Sequence, residues 1–217
     1  MSARPTFVYE LEQLNIELIK MGAMVEQAIE RSIKAFREQD HKLAQEIIQG
    51  DKAVDEMEKN IEYRCLSLIL RQQPVASDLR EVSAALKMVT DMERIGDHAS
   101  DIAALVVEIS GSHIFHIVEH IPEMAKVSIQ MVHDAVKSFV DQNLDLARQV
   151  IQTDDVVDNL FSQVKSEVVG ILKSSPEHSD RGVDFLMIAK YLERIADHAV
   201  NICEWVEFNR TGNYKQK

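Results

Sequence analysis

Residues 34–55, KAFREQDHKLAQEIIQGDKAVD, align without a gap to residues 137–158, KSFVDQNLDLARQVIQTDDVVD, and ten of the twenty-two positions are identical. A second pair of strings follows, MERIGDHASDIA at 92–103 and LERIADHAVNIC at 192–203. The offset is 103 in the first pair and 100 in the second, so the copies differ by three residues between these points. A tandem repeat of roughly 100 residues confines the fold, because whatever unit the first half builds the second half must build again.

That unit is helical. Seven Gly and four Pro are all that punctuate 217 residues, and aromatics make up 6%. Few turns and many Leu, Ile, Val, Met and Ala suit helix packing better than a β-sandwich. Asp40 and Asn143 occupy equivalent positions and are good N-caps for the helices that follow them. The next breaks are RQQPVASD (71–78) and KSSPEHSD (173–180), where proline stops one helix and Ser77 or Ser179 can cap the next. Between the copies, EISGSH places a turn around Gly111. The pattern predicts helices near 7–38, 41–71, 77–109, 115–141, 144–173 and 180–208: an all-α protein of two tandem, pseudo-symmetric three-helix bundles, residues 1–110 and 111–217.

A formal charge of −12, with no run of Lys and Arg, argues against nucleic acid as a partner. Cys65 and Cys203 lie 138 residues apart in helical patterns, without a CxxC spacing, which suits a reducing cytoplasm. No segment approaches the ~20 apolar residues that span a bilayer, and the N-terminus turns polar before a signal-type stretch develops.

The repeated polar residues are acids. At 100° per residue, Glu93, Asp97 and Asp101 fall within an arc of ~80° on one helix face. Asp51 and Asp55 lie ~40° apart on the preceding helix, in a stripe shared with Glu58 and Glu62. Both stripes flank the predicted core, along Ile47, Val54, Ile61 and Leu68 on one helix and Val89, Met92 and Ala103 on the other. Carboxylates bordering the core on adjacent helices can converge across a groove, where their repulsion and lost hydration are offset if a cation bridges them. Solvated surface is the ordinary fate of a helix acid. Here the repeat discriminates: Glu58 and Glu62 become Phe161 and Lys165, whereas Asp51, Asp55, Glu93 and Asp97 return as Asp154, Asp158, Glu193 and Asp197. Those four pairs are the candidate metal ligands. Asp101 is a weaker one, because its counterpart is Asn201. An oxygen-only donor set selects a hard cation, such as iron, Mg, Mn or Ca, over structural zinc.

His98 and His198 lie ~140° round the helix from Glu93 and Glu193, so they do not share the acids' face. They are expected to be buried or interfacial and to make ordinary hydrogen bonds. Arg94 and Arg194 are expected in ion pairs that orient an acid, and Gly96 stands where a neighbouring helix approaches closely. No phosphate loop, nucleophile elbow or Cys–His pair is present, so no catalytic residue is assigned.

ERIGDHA (93–99) and ERIADHA (193–199), each preceded in its own half by DKAVD (51–55) or DDVVD (154–158), resemble the PhoU family of bacterial phosphate-signalling proteins. The likeness covers nearly the whole chain, and QQPVASDLR (72–80) is similar to the family's inter-helix segment. The resemblance implies a cytoplasmic, non-enzymatic negative regulator of the phosphate-starvation response. It would link the ATPase subunit of the phosphate-specific ABC transporter to a membrane sensor histidine kinase, meeting the membrane only through these partners. It also implies a divalent or trivalent metal on E(D)xxxD motifs, here Asp51–Asp55, Glu93–Asp97, Asp154–Asp158 and Glu193–Asp197. The second copy departs from the first after KSSPEHSD, where DRGVDF replaces DLREVS.

Two other classes compete. A histidine phosphotransfer protein would use His98 or His198 as phosphoacceptor, but needs an exposed histidine with basic neighbours. A metal-carboxylate enzyme would need a general base and an open ligand position. The long amphipathic first and fourth helices are further expected to expose apolar strips that support a homodimer.

Overall fold

The computed structural model describes residues 5–72, 74–109, 118–174 and 179–213. Helix α1 (Pro5–Glu38) opens on a proline, whose missing N–H is one of the donors that a helix start leaves unpaired anyway. Then follow α2 (His41–Gln72), α3 (Ala76–Glu108), α4 (His120–Val140), α5 (Leu144–Ser174) and α6 (Ser179–Thr211). No strand occurs among the described residues. The expected turn at Gly111, and with it the boundary between residues 110 and 111, lies outside them.

The turn after α1 and the turn after α4 are built alike. Gln39 (φ 54°) and Gln142 (φ 52°) take the left-handed conformation that ends a helix. The next amide reaches back to close the last turn, Asp40 N–H to Ala35 O at 3.0 Å and Asn143 N–H to Ser138 O at 2.8 Å. The same two residues then cap the following helix. Asp40 Oδ1 accepts from the Leu43 amide (2.9 Å) and Asn143 Oδ1 from the Leu146 amide (3.1 Å), as the sequence predicts.

Two expectations need correction. Ser77 is not a cap: α3 starts one residue earlier, after an extended Val75 that offers no side-chain bond, and the Ser77 hydroxyl turns to Asp78 Oδ1 (3.4 Å). Helix α4 begins at His120 rather than near 115, with Val118 and Glu119 outside it. Pro122 is the reason, because in a helix begun at 115 its ring would clash with the preceding turn, whereas in the first turn its lack of an N–H is harmless.

Helices α1, α2 and α3 pack on one another, as do α4, α5 and α6. The two groups meet through α1 against α4 and α3 against α6, while α2 and α5 pack only within their own halves among the described residues. Both cross-pairs are antiparallel. Gly22 and Glu26 of α1 lie against Val136 and His133 of α4, and Arg80, Asp91 and His98 of α3 meet Asn209, His198 and Tyr191 of α6. Equivalent helices running oppositely past each other give the repeat an approximate two-fold relation.

Buried side chains from all six helices form one continuous core. Phe36 of α1 and Phe185 of α6 join the halves edge to face, with centroids 5.5 Å apart and planes at 83°. The buried hydroxyl of Ser128 donates within α4 to Met124 O (2.9 Å) and stands 3.2 Å from Leu192 O of α6, so this polar group within the seam keeps its partners. No helix among the described residues is long and apolar enough to cross a membrane.

Candidate metal centre

Helix α2 turns Ile47, Val54, Ile61 and Leu68 into the core, all of them buried. This sets Asp51 and Asp55, one turn apart on either side of Val54, along the groove with α3. The close approach depends on Gly96: a Cβ there would stand 3.0 Å from Val54 Cγ1 and 3.6 Å from Asp51 Oδ1. With only hydrogen at that position, α3 brings Asp97 to the α2 acids. Asp51, Asp55 and Asp97 each present a carboxylate oxygen, and these oxygens all lie within 4.8 Å of one another. Oxygens around one cation at 2.0–2.6 Å are separated by roughly 3–5 Å, so the spacing and the all-carboxylate chemistry fit a hard cation such as Mg, Ca or Mn.

Glu93 borders this triad rather than joining it. Its carboxylate lies 3.5 Å from Arg94 Nε, and Arg94 Nη1 donates to Asp97 Oδ2 at 3.0 Å. Arg94 therefore orients two of the acids, the role expected of it. Asp101 reaches toward His98 Nδ1 (3.5 Å) and contributes its charge to the field at Asp51. Glu58, which the second copy replaces with Phe161, faces Glu93 closely enough that burial and that neighbour raise its pKa.

In the second copy Asp154, Asp158, Glu193 and Asp197 gather at the α5–α6 groove, where burial, helped by the charges of Glu193 and Asp158, raises the pKa values of Asp154 and Asp197. No second triad as tight as the first occurs among the described residues. Asp158 and Asp197 are exposed, and buried Ala196 replaces Gly96 at the helix contact. Glu193 is ion-paired with Lys190, one turn earlier on α6.

Burial, reinforced by neighbouring carboxylates, pushes Asp51 and Asp154 up to about 6. Asp97 is the largest charged contributor at Asp51, and Asp158 at Asp154. Between the ordinary value of 3.8 and about 6 the folded chain holds a proton that the unfolded chain has lost, so these acids make stability fall as pH rises through that window. His98, lowered mainly by burial, acts in the opposite sense. The comparison that isolates the acids is Asp51→Asn plus Asp154→Asn against the parent, metal-free. The parent should gain about 1 kcal/mol per acid, discounted for solvent screening, between pH 7.5 and pH 5 relative to the double variant. Urea titrations at the two pH values test this, and equal changes in both proteins would contradict it.

The histidines lie in the α3–α6 seam. His98 stacks on Tyr191 (5.5 Å, 27°), its centroid is 5.6 Å from that of His198, and its side chain is 12% exposed. His198 Nδ1 is 2.8 Å from Asp91 Oδ1, which also accepts from Asn201 Nδ2 at 3.1 Å. They are interfacial and hydrogen-bonded, as the sequence predicts. Asp91 was not legible: its repeat partner is Tyr191, so comparing the copies passes it over.

Six helices in two related triples, joined by a pseudo-two-fold seam and striped with acids at equivalent grooves, define a class of all-α tandem-repeat proteins that bear carboxylate clusters. The PhoU domain family matches residues 18–106 and again 121–206, and the chain belongs to the PhoU family. It is 39% identical over 210 residues to the "phosphate-specific transport system accessory protein PhoU homolog" of Clostridium acetobutylicum, covering 96% of each chain. It is 32% identical to the Escherichia coli accessory protein PhoU, covering 92% of this chain and 83% of that one. The crystal structure of PhoU from Pseudomonas aeruginosa superposes with a TM-score of 0.87 at 33% identity, over 96% of this chain and all of the other. That of the phosphate transport system regulatory protein PhoU from Streptococcus pneumoniae gives 0.89 at 28% identity, over 98% and 100%.

Proposed function

We propose that this protein is a cytoplasmic, non-enzymatic regulator attached to phosphate-specific transport. In this reading it holds the phosphate-starvation response off by contacting the transporter's ATPase subunit and the sensor histidine kinase. The observation that carries the proposal is the likeness of both halves, over nearly the full chain, to proteins named as accessory and regulatory components of that transport system. The metal acts as a structural tie in this scheme. Asp51, Asp55 and Asp97 would hold it, with Glu93 beside them, and the second set would be Asp154, Asp158, Glu193 and Asp197. When bound, the cation supplies charge that cancels carboxylate repulsion across the helix grooves. A homodimer fits the apolar side chains of Ile16 and Ile19, both exposed on α1.

The placement of both histidines in the α3–α6 seam, half-buried and paired with acids, favours this adaptor over a phosphotransfer protein, because a phosphoacceptor must meet a kinase. Deleting the gene should switch on phosphate-starvation genes in phosphate-rich medium, and deleting the kinase as well should abolish the effect. Folded His98→Ala and His198→Ala variants should restore repression in the single deletion. A transcriptional reporter reads all of these outcomes. Repression lost in the histidine variants, with stability and partner binding intact, would overturn the adaptor in favour of phosphotransfer.

A further inference from the structure

We infer that Lys190 is a built-in counter-cation for the second acidic set, so that this set takes a cation from solution more weakly than the first, where Arg94 is the resident cation and three carboxylates converge. The inference rests on the metal reading above and concerns residues on which the two copies differ. The Lys190 ammonium is ion-paired with Glu193 one turn away. It also stands 5.6 Å from the centroid of the Phe161 ring, within reach of a cation–π contact. The Glu193 side chain is 16% exposed and that of Lys190 39%, so the acid's end of the pair is shielded from water while the lysine keeps part of its hydration. In the first copy the corresponding positions are Thr90, whose hydroxyl turns to Leu86 O (3.4 Å), and Glu58, which faces Glu93 as a second negative charge.

The two exchanges act together. Where the first copy sets acid against acid, the second sets a lysine against acid and an aromatic face against the lysine. Asp155 in place of Lys52 runs the other way in charge, but both of those residues are exposed. A divalent ion seeking Glu193 and Asp197 must displace the ammonium from Glu193 and overcome its repulsion, whereas an ion at Asp51, Asp55 and Asp97 meets the Arg94 guanidinium on Asp97 Oδ2 but gains three converging carboxylates.

The test is Mn²⁺ titration by calorimetry of the full chain, stripped with chelator. The parent should show one tight site and a second at least about tenfold weaker. Lys190→Thr should strengthen the weak site by about tenfold, Lys190→Arg should leave it weak, and Thr90→Lys should weaken the tight one. Melting curves of each variant separate these shifts from misfolding, and Lys190→Met repeats the charge removal with more of the side-chain bulk kept. Adding Asp154→Asn plus Asp197→Asn to Lys190→Thr should abolish the strengthened site, which assigns it to the second copy. Two equally tight sites in the parent, or a weak site indifferent to the loss of Lys190, would overturn the role of Lys190 and leave the metal reading standing. No Mn²⁺ binding by any of the proteins would overturn the metal reading, and the inference with it.

Discussion

Protein carrying Asp51→Asn together with Asp97→Asn is expected to lose at least about 100-fold in affinity at its tight Mn²⁺ site, because removing two direct ligand charges exceeds the 10–100-fold effect of losing an outer-sphere partner. Each of these carboxylates offers an oxygen within 4.8 Å of the others, and asparagine keeps an oxygen while giving up the charge. The same double variant should melt higher than the parent without metal, since it removes like charges crowded in a half-buried groove. It should gain little from added Mn²⁺, as stabilisation by a ligand scales with its affinity for the folded state. Asp154→Asn plus Asp197→Asn should leave the tight site intact. Titration calorimetry with scanning calorimetry reads both quantities, and unchanged tight binding in the first pair of substitutions would return these acids to ordinary solvated surface.

Phe185→Ala is expected to destabilise the whole chain by about 3–5 kcal/mol, the range for truncating a large aromatic in a packed core. Phe185 is fully buried, and its ring meets Phe36 of the other half edge to face, so the loss falls on the seam as well as on its own bundle. Because the core runs without a break across both halves, unfolding in urea should remain a single transition displaced to lower denaturant. The one tryptophan, Trp205 on α6, reports on the second half, while far-ultraviolet circular dichroism reports on both. Coincident curves are the expected result. A dichroism step that survives after the tryptophan signal has been lost would mean that the halves fold separately.

The helices were largely legible because the repeat supplied each turn twice. Asp40 and Asn143 could be read as caps since both stand at one position of the unit and both have the side chain for the task. Ser77 misled because a serine near a helix start can lie just inside it, where the backbone of the preceding residue decides. The start of α4 depends on Pro122, which belongs in a first turn and so sets the helix to begin at His120. Among the acids, the pairing of Asp51 with Asp55 follows from spacing along one helix. That Asp97 closes on them while Glu93 borders the group depends on how far α3 approaches α2, a distance set by the bare backbone of Gly96 against Val54. Identity between the copies marks neither Asp91 nor Lys190, since what matters at both positions is a difference. The Lys190–Glu193 spacing of three residues was visible in principle, because such neighbours share a helix face.

A protein assembled from two separate, identical chains would carry every seam residue in duplicate, and any substitution on one side of its axis would be imposed on the other. Covalent joining of the halves lifts that constraint. At the α3–α6 crossing each histidine has a different companion, Tyr191 stacked on His98 and Asp91 bonded to His198, an arrangement that strict symmetry forbids. A mutation there tests one environment at a time, so one half can drift toward a new partner while its twin keeps the older duty.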